Sequence, residues 1–159
     1  MIFVSVGTQK FPLDRLLKEV DLLIENKVID EDVFAQIGNS NYNPKNYRYE
    51  RFLSPCDFED VVKKSDLIVT HSGVATIITS LKNAKPVVVF PRLCKYGEHV
   101  DDHQVQIAHT FAEKKYVACC DDEDSLSEVI IKARQTEFAT YVSKRTEMIN
   151  EIKEYLHSL

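Results

Sequence analysis

The sequence predicts one α/β domain, a Rossmann-like parallel sheet with helices on both faces. Short apolar runs alternate with segments of helical periodicity from one end of the chain to the other. Those runs are largely apolar instead of alternating with polar residues, the pattern of strands covered on both sides. With 159 residues, the chain has room for one substantial core but not for two nucleotide-fold halves.

Residues 2–6 read as the first strand, ending at Gly7-Thr8. Pro12 then begins a helix whose apolar stripe is Leu13, Leu16, Leu17, Val20, Leu23 and Ile24. Residues 33–37 form a second strand, stopped by Gly38-Asn39-Ser40, and residues 39–46 are a loop rich in Asn, Tyr and Pro. A short strand over residues 47–52 leads through Ser54-Pro55 to a helix from Asp57 with Phe58, Val61 and Val62 inward. Residues 67–70 are a buried strand, and His71-Ser72-Gly73 turns into a helix. There Val74, Ile77, Ile78 and Leu81 make the core stripe, leaving Ala75, Thr76 and Thr79 off it. After a strand at residues 87–90, a loop leads to a helix opening within residues 97–104. Residues 116–119 are the last strand, and Ser125-Leu126-Ser127-Glu128 is a capping box before Val129, Ile130 and Ala133. Residues 137–159 read as a long amphipathic helix with Phe138, Tyr141, Met148, Ile149, Ile152, Tyr155 and Leu156 on one side. That helix either packs back on its own domain or docks onto another subunit. No repeat, low-complexity tract or linker divides the chain, so residues 1–159 form a single domain.

A net charge of −5 argues against non-specific nucleic-acid binding, which needs a basic face. The longest apolar runs are only a handful of residues, far short of the roughly 20 a membrane span requires. Met1 leads directly into a strand, so no signal peptide is expected. Cys56, Cys94, Cys119 and Cys120 form no C-x-x-C pair and read as buried or half-buried reduced thiols.

Function concentrates in residues 69–108. Two strand-to-helix junctions stand side by side there, offering backbone N–H groups to a diphosphate and its sugar. Gly7 permits close backbone approach in the first loop, and Thr8 adds a hydroxyl and an amide. His71 at a strand tip could donate a ring N–H to a phosphate, and Thr76 could add its hydroxyl within the first turns of the helix. The alternative makes Ser72 an N-cap and the other two plain loop and helix residues. The run Gly97-Glu98-His99-Val100-Asp101-Asp102-His103-Gln104 mixes donors and acceptors as sugar hydroxyls require, though part of it could be helix capping. His99 and His103, read as i, i+4 on one helical face, would suit a metal-dependent hydrolase, but no third ligand is identifiable.

These residues resemble the C-terminal domain of glycosyltransferase family 28, and in particular the small soluble subunits of bipartite UDP-sugar transferases. One such group adds N-acetylglucosamine in the dolichol pathway; another serves bacterial exopolysaccharide and capsule synthesis. Pro91-Arg92, Lys95-Tyr96-Gly97-Glu98-His99-Val100 and Asp102-His103-Gln104 match the bacterial pattern more closely. The likeness runs from Ile2 to about Cys119 and is specific over residues 69–108. It implies the donor-binding half of a GT-B glycosyltransferase, acting as an inverting, metal-independent UDP-hexose transferase without a cofactor. It further implies a membrane-anchored acceptor-binding partner that presents a polyprenyl-diphosphate-linked sugar. The chain would then be cytoplasmic, held through that partner at the inner face of the plasma membrane. Gly7 and Thr8 match the loop facing the donor diphosphate, and Phe52 and Leu53 the segment holding uracil. His71, the expected catalytic residue, and Gly73 and Thr76 match positions around the phosphates. His103 and Gln104 match contacts to sugar hydroxyls, with Asp102 and Glu98 near candidates. Two positions depart from the family pattern. Thr79 stands where many relatives carry a Glu on the ribose hydroxyls, which implies a weaker contact, and Ala84 replaces a Gly. The alternative function is a non-catalytic nucleotide-binding scaffold or regulatory subunit, for which Thr79 speaks.

Overall fold

Six short strands pair in parallel in the order β3-β2-β1-β4-β5-β6. The computed structural model describes residues 1–145 together with Asn150, Lys153, Glu154 and His157. In chain order the elements are β1 (Ile2–Ser5), α1 (Asp14–Glu25), β2 (Val33–Gln36), β3 (Arg48–Glu50), α2 (Pro55–Lys64) and β4 (Leu67–Thr70). Then come α3 (Val74–Lys82), β5 (Val87–Val89), a 3-10 turn at Cys94–Tyr96, α4 (His103–Glu113), β6 (Ala118–Cys119) and α5 (Leu126–Gln135). Both neighbours of β1 are in register with it, Ile2 lying beside Val33 of β2 and Leu67 of β4.

Successive strand residues point to opposite faces, and each face buries its own core. Ile2, Val4, Leu67, Val69 and Val88 pack on α1 and α5 through Leu16, Leu17, Val20, Leu126 and Ile130. Phe3, Ile68, Val87 and Val89 pack on α2, α3 and α4 through Val62, Ile77, Leu81 and Ala108. The domain is thus a three-layer sandwich of the Rossmann-like kind the sequence predicts. Fully burying each of these side chains stabilises the fold by roughly 1.5–3 kcal/mol before entropy is counted.

Several local expectations need correction. The first helix begins at Asp14, because Leu13 is non-helical at φ −139°, ψ 56° and its N–H donates to the Ser40 hydroxyl. The second begins at Pro55, two residues before Asp57; the Ser54 hydroxyl caps it by accepting from Asp57 N at 3.1 Å. The Ser125 capping box does not form, since Ser125 Oγ lies 2.8 Å from Ser127 Oγ and no side chain caps α5. Val74 is not in the core: as the first residue of α3 it is 43 % exposed, whereas Thr76, expected off the stripe, is buried. Residues 136–143 carry no regular secondary structure, so the expected helix does not form there. Ala139 N donates to Lys115 O, and Tyr141 meets Tyr116 edge-on at 5.5 Å. The remaining expected stripe residues, Met148, Ile149, Ile152, Tyr155 and Leu156, lie outside the described residues. Cys56 and Cys94 are exposed, not buried; Cys119 is half-buried and Cys120 buried, and all four are free thiols.

One crossover lacks a helix. Between β2 and β3 the chain runs as an irregular loop held by the buried Asp21 of α1. Its carboxylate accepts from Tyr42 Oη at 2.6 Å, Lys45 N at 2.8 Å and Asn46 N at 2.8 Å, satisfying backbone groups a helix would otherwise have paired. Among the described residues no helix is long and apolar enough to cross a membrane.

Candidate functional site

The strand order dictates where a ligand can enter. β1 and β4 are neighbours, but the helices that follow them leave to opposite faces, α1 to one core and α3 to the other. Their divergence opens a crevice beyond the carboxyl ends of the two strands, the topological switch point of such sheets. A cleft of about 630 Å³ lies there. Gly7, Thr8 and Gln9 form one wall, and His71, Gly73, Val74, Ala75, Thr76 and Thr79 another. Gln36, Leu53, Pro55, Phe58 and Glu59 close the remaining side. The helices that follow β4 and β5, α3 and α4, by contrast pack on the same face.

His71 joins the two loops. It is 5 % exposed, with its ring wedged between two glycines. A Cβ on Gly7 would lie 2.5 Å from His71 Cε1, and one on Gly73 would collide with His71 Nε2. Gly7 also has φ +77°, a conformation that excludes most side chains. Both glycines are therefore required by the imidazole between them. His71 Nδ1 lies 3.3 Å from Ser5 O and 3.2 Å from Thr70 Oγ1. The Thr70 hydroxyl itself donates to Ser5 O at 2.8 Å. A carbonyl only accepts, so these partners assign the proton of the neutral ring to Nδ1 and leave a lone pair on Nε2. Burial, reinforced by the nearby Arg92 guanidinium, pulls the His71 pKa down to about 4, so the ring is neutral at pH 7. The sequence reading had this ring donating to a phosphate; in the unliganded geometry Nε2 is an acceptor, and donation requires protonation or a tautomer exchange.

The N-terminus of α3 opens into the same cleft. Gly73 is its N-cap, and no side chain caps the helix, so its first N–H groups are available to an anion at the positive end of the helix dipole. Thr76 lines the cleft one turn in, and Thr79 one turn further. Beside them the buried Ser72 hydroxyl has no hydrogen-bond partner among the described residues, so Ser72 is not the N-cap the alternative reading made it.

The structure thus brings Gly7, Thr8, Leu53, His71, Gly73, Thr76 and Thr79 to one cleft. It places the others elsewhere. Phe52, next to Leu53, is 51 % exposed and outside the lining. Glu98 is buried, with its carboxylate gripped by Arg15 at 3.0 Å and by Leu93 N at 2.9 Å. Gln104 is buried and accepts from Arg92 N at 3.0 Å. Asp102 accepts from Cys94 N at 2.9 Å and faces a separate acidic hollow with Asp121, Asp122 and Asp124. The His103 side chain is 70 % exposed, and its Nδ1 lies 3.1 Å from Gln106 Oε1. His99 precedes α4 in a loop, so it and His103 do not share a helical face as the spacing suggested. Instead both rings approach Asp101. Among the described residues the group that could hold a metal ion is His109, Cys119 and Asp121, away from the cleft. There His109 Nε2 already lies 2.8 Å from Asp121 Oδ1, and burial holds the Cys119 thiol up at about 12.

Sequence reasoning missed four features of the site. Gln36 ends β2, is buried, and accepts from Leu53 N at 2.9 Å, fixing the far wall. A glutamine closing an apolar strand was the available signal. Phe58 and Glu59 carry no local signal, since a helix of this amphipathicity faces the core in most domains. Arg92 is fully buried; its Nη2 donates to Val6 O at 2.6 Å and Phe11 O at 2.9 Å, clamping the loop that carries Gly7 and Thr8. Its Nη1 is buried without a partner among the described residues.

Comparison with known proteins gives a consistent picture. The glycosyltransferase family 28 C-terminal domain matches residues 1–158. Curated relatives include the UDP-N-acetylglucosamine transferase subunit ALG13 of Saccharomyces cerevisiae, 37 % identical over 73 residues (46 % of this chain, 34 % of that protein). The subunit of the same name from Cryptococcus neoformans is 30 % identical over 100 residues, 60 % of this chain and 48 % of that protein. The chain therefore spans a third to about half the length of these relatives. Its backbone superposes on the NMR solution structure of ALG13 with a TM-score of 0.58 at 18 % identity, covering 95 % of this chain and 93 % of that one. The kitacinnamycin glycosyltransferase gives a TM-score of 0.63 at 18 % identity, covering 85 % of this chain and 34 % of that one. The fold is accordingly equivalent to one half of a GT-B glycosyltransferase.

Proposed function

The chain belongs to the glycosyltransferase family 28 C-terminal domain family, and from that premise we propose that it is the donor-binding, catalytic half of a UDP-hexose transferase. The observation that carries the reading is the cleft between β1 and β4, where the Gly7-Thr8 loop and the uncapped start of α3 face one another. Uracil would lie against Leu53 and Phe58, and the diphosphate at Gly7, Gly73 and Thr76. As the bond from the sugar's anomeric carbon to UDP breaks, negative charge grows on the leaving diphosphate. Fixed amides of the two loops stabilise that charge without reorganising. His71 Nε2 takes up a proton from solvent as the charge arrives and becomes a further donor. Inversion follows if the acceptor hydroxyl attacks from the side opposite UDP, and nothing in this scheme calls for a metal.

The acceptor half and its general base are assigned to a separate, membrane-anchored chain presenting a polyprenyl-diphosphate-linked sugar. The relatives named as UDP-N-acetylglucosamine transferase subunits favour that hexose; the pattern of residues 91–104 favours an exopolysaccharide or capsule acceptor. Calorimetric titration with UDP and UDP-N-acetylglucosamine, then radiolabelled transfer with the partner present, tests the proposal. Binding with turnover supports it, and His71→Ala should lower turnover by roughly 10²–10³-fold. Binding without turnover would favour a nucleotide-binding scaffold, and no binding would end the donor-site reading.

A further inference from the structure

Between the surfaces assigned to uracil and diphosphate the cleft must read a ribose, and its lining restricts how. Among the described residues lining the cleft, Glu59 alone carries a carboxylate; His71 is the other ionisable side chain. Glu59 follows Phe58 on α2, so it stands next to the apolar wall formed by Leu53 and Phe58. Across the cleft on α3, Thr79 lies one turn beyond Thr76, roughly 4.5 Å further from the anion-binding end of the helix. That displacement matches the connectivity of a nucleotide, in which the sugar separates the base from the phosphates. A vicinal diol offers two O–H donors side by side, and a carboxylate's two oxygens accept both.

We infer that Glu59, reaching from α2, together with the Thr79 hydroxyl from α3, recognises the 2′,3′-diol of the donor ribose and makes the site selective for ribonucleotides. This rests on the donor-site reading above. Glu59 is half-exposed and, among the described residues, pairs with Lys63, one turn along α2, at 2.9 Å. Its carboxylate can therefore swing to a ligand without breaking a buried network.

The test compares UDP with 2′-deoxy-UDP, which lacks one of the two hydroxyls, by titration calorimetry. The unaltered protein should prefer UDP by about tenfold or more, as a hydrogen bond to a charged acceptor provides. Glu59→Gln should lower UDP affinity by a similar factor and leave 2′-deoxy-UDP affinity almost unchanged, collapsing the preference. Thr79→Val should narrow it partially. Lys63→Met, which keeps the carboxylate but removes its helical partner, should retain it. The proposal is overturned if Glu59→Gln preserves the UDP preference while UDP still binds, or if Lys63→Met abolishes the preference as fully as Glu59→Gln. Failure of the unaltered protein to bind either nucleotide overturns the donor-site reading and Glu59's role with it, an outcome distinct from the other two.

Discussion

His71 concentrates the chemistry of the site in one ring, and its protonation ties stability to pH. Its pKa is about 4 in the fold against roughly 6.5 in an unfolded chain. Between those values the unfolded state binds the extra proton, so stability is fully present above pH 6.5 and falls as pH drops toward 4. The loss across that window amounts to about 3 kcal/mol. Urea unfolding from pH 7 to pH 4 should show this slope, and His71→Asn should flatten it. Under the proposed function, ligand binding would reverse the sign, because a diphosphate anion beside Nε2 favours the imidazolium. UDP binding is expected to take up a fraction of a proton at pH 6, measurable by calorimetry in buffers of different ionisation enthalpy. Gly73→Ala places a methyl group against Nε2. Displacing the packed ring should cost about 1–3 kcal/mol in denaturant unfolding and weaken UDP binding at the same time.

At the scale of elements, the helix-free crossover between β2 and β3 depends on one side chain. Asp21→Ala would leave the Lys45 and Asn46 amides and the Tyr42 hydroxyl without their acceptor. A loss of about 2–4 kcal/mol is expected in thermal or urea unfolding. Tyr42 supplies a spectroscopic check: its hydrogen bond to Asp21, with smaller contributions from burial and charge, raises its pKa to about 12, and the variant should return it toward 10. β1, β2, β4 and β5 were legible from their apolar runs, and so was α1 from a stripe in which Leu13, Leu16, Leu17 and Val20 are all buried. Positions near the site were harder to read. Val74 belongs to the stripe by spacing, yet the helix begins there and its first turn overhangs a cleft. Glu98 and Gln104 look like sugar-binding residues in a polar run, but tertiary partners 83 and 12 residues away in sequence occupy them. A buried Arg92 left no trace in the pattern, because periodicity reports which face an apolar residue takes and says nothing about which carbonyls a cation will clamp.

For the molecule as a whole, the strand order decided the site more than any motif did. Two adjacent strand-to-helix junctions, after β4 and β5, were the natural reading of residues 69–108. The sheet instead pairs the β4 junction with the one after β1, 65 residues earlier in the sequence. If the cleft is a nucleotide site, occupancy should stabilise the entire domain. UDP at about 100 times its dissociation constant adds roughly 2.7 kcal/mol, enough for an upward shift of several degrees in melting temperature for a chain of this size. An unmoved melting curve at millimolar UDP would count against the site.

The wedge of one imidazole between two glycines has an evolutionary corollary. Positions 7, 71 and 73 cannot drift independently, since any side chain at 7 or 73 needs the space the ring now fills. A lineage that acquires alanine at 73 must first, or simultaneously, exchange the histidine for something slimmer. Descendants of this chain are therefore expected to change these three positions in concert or leave all of them alone.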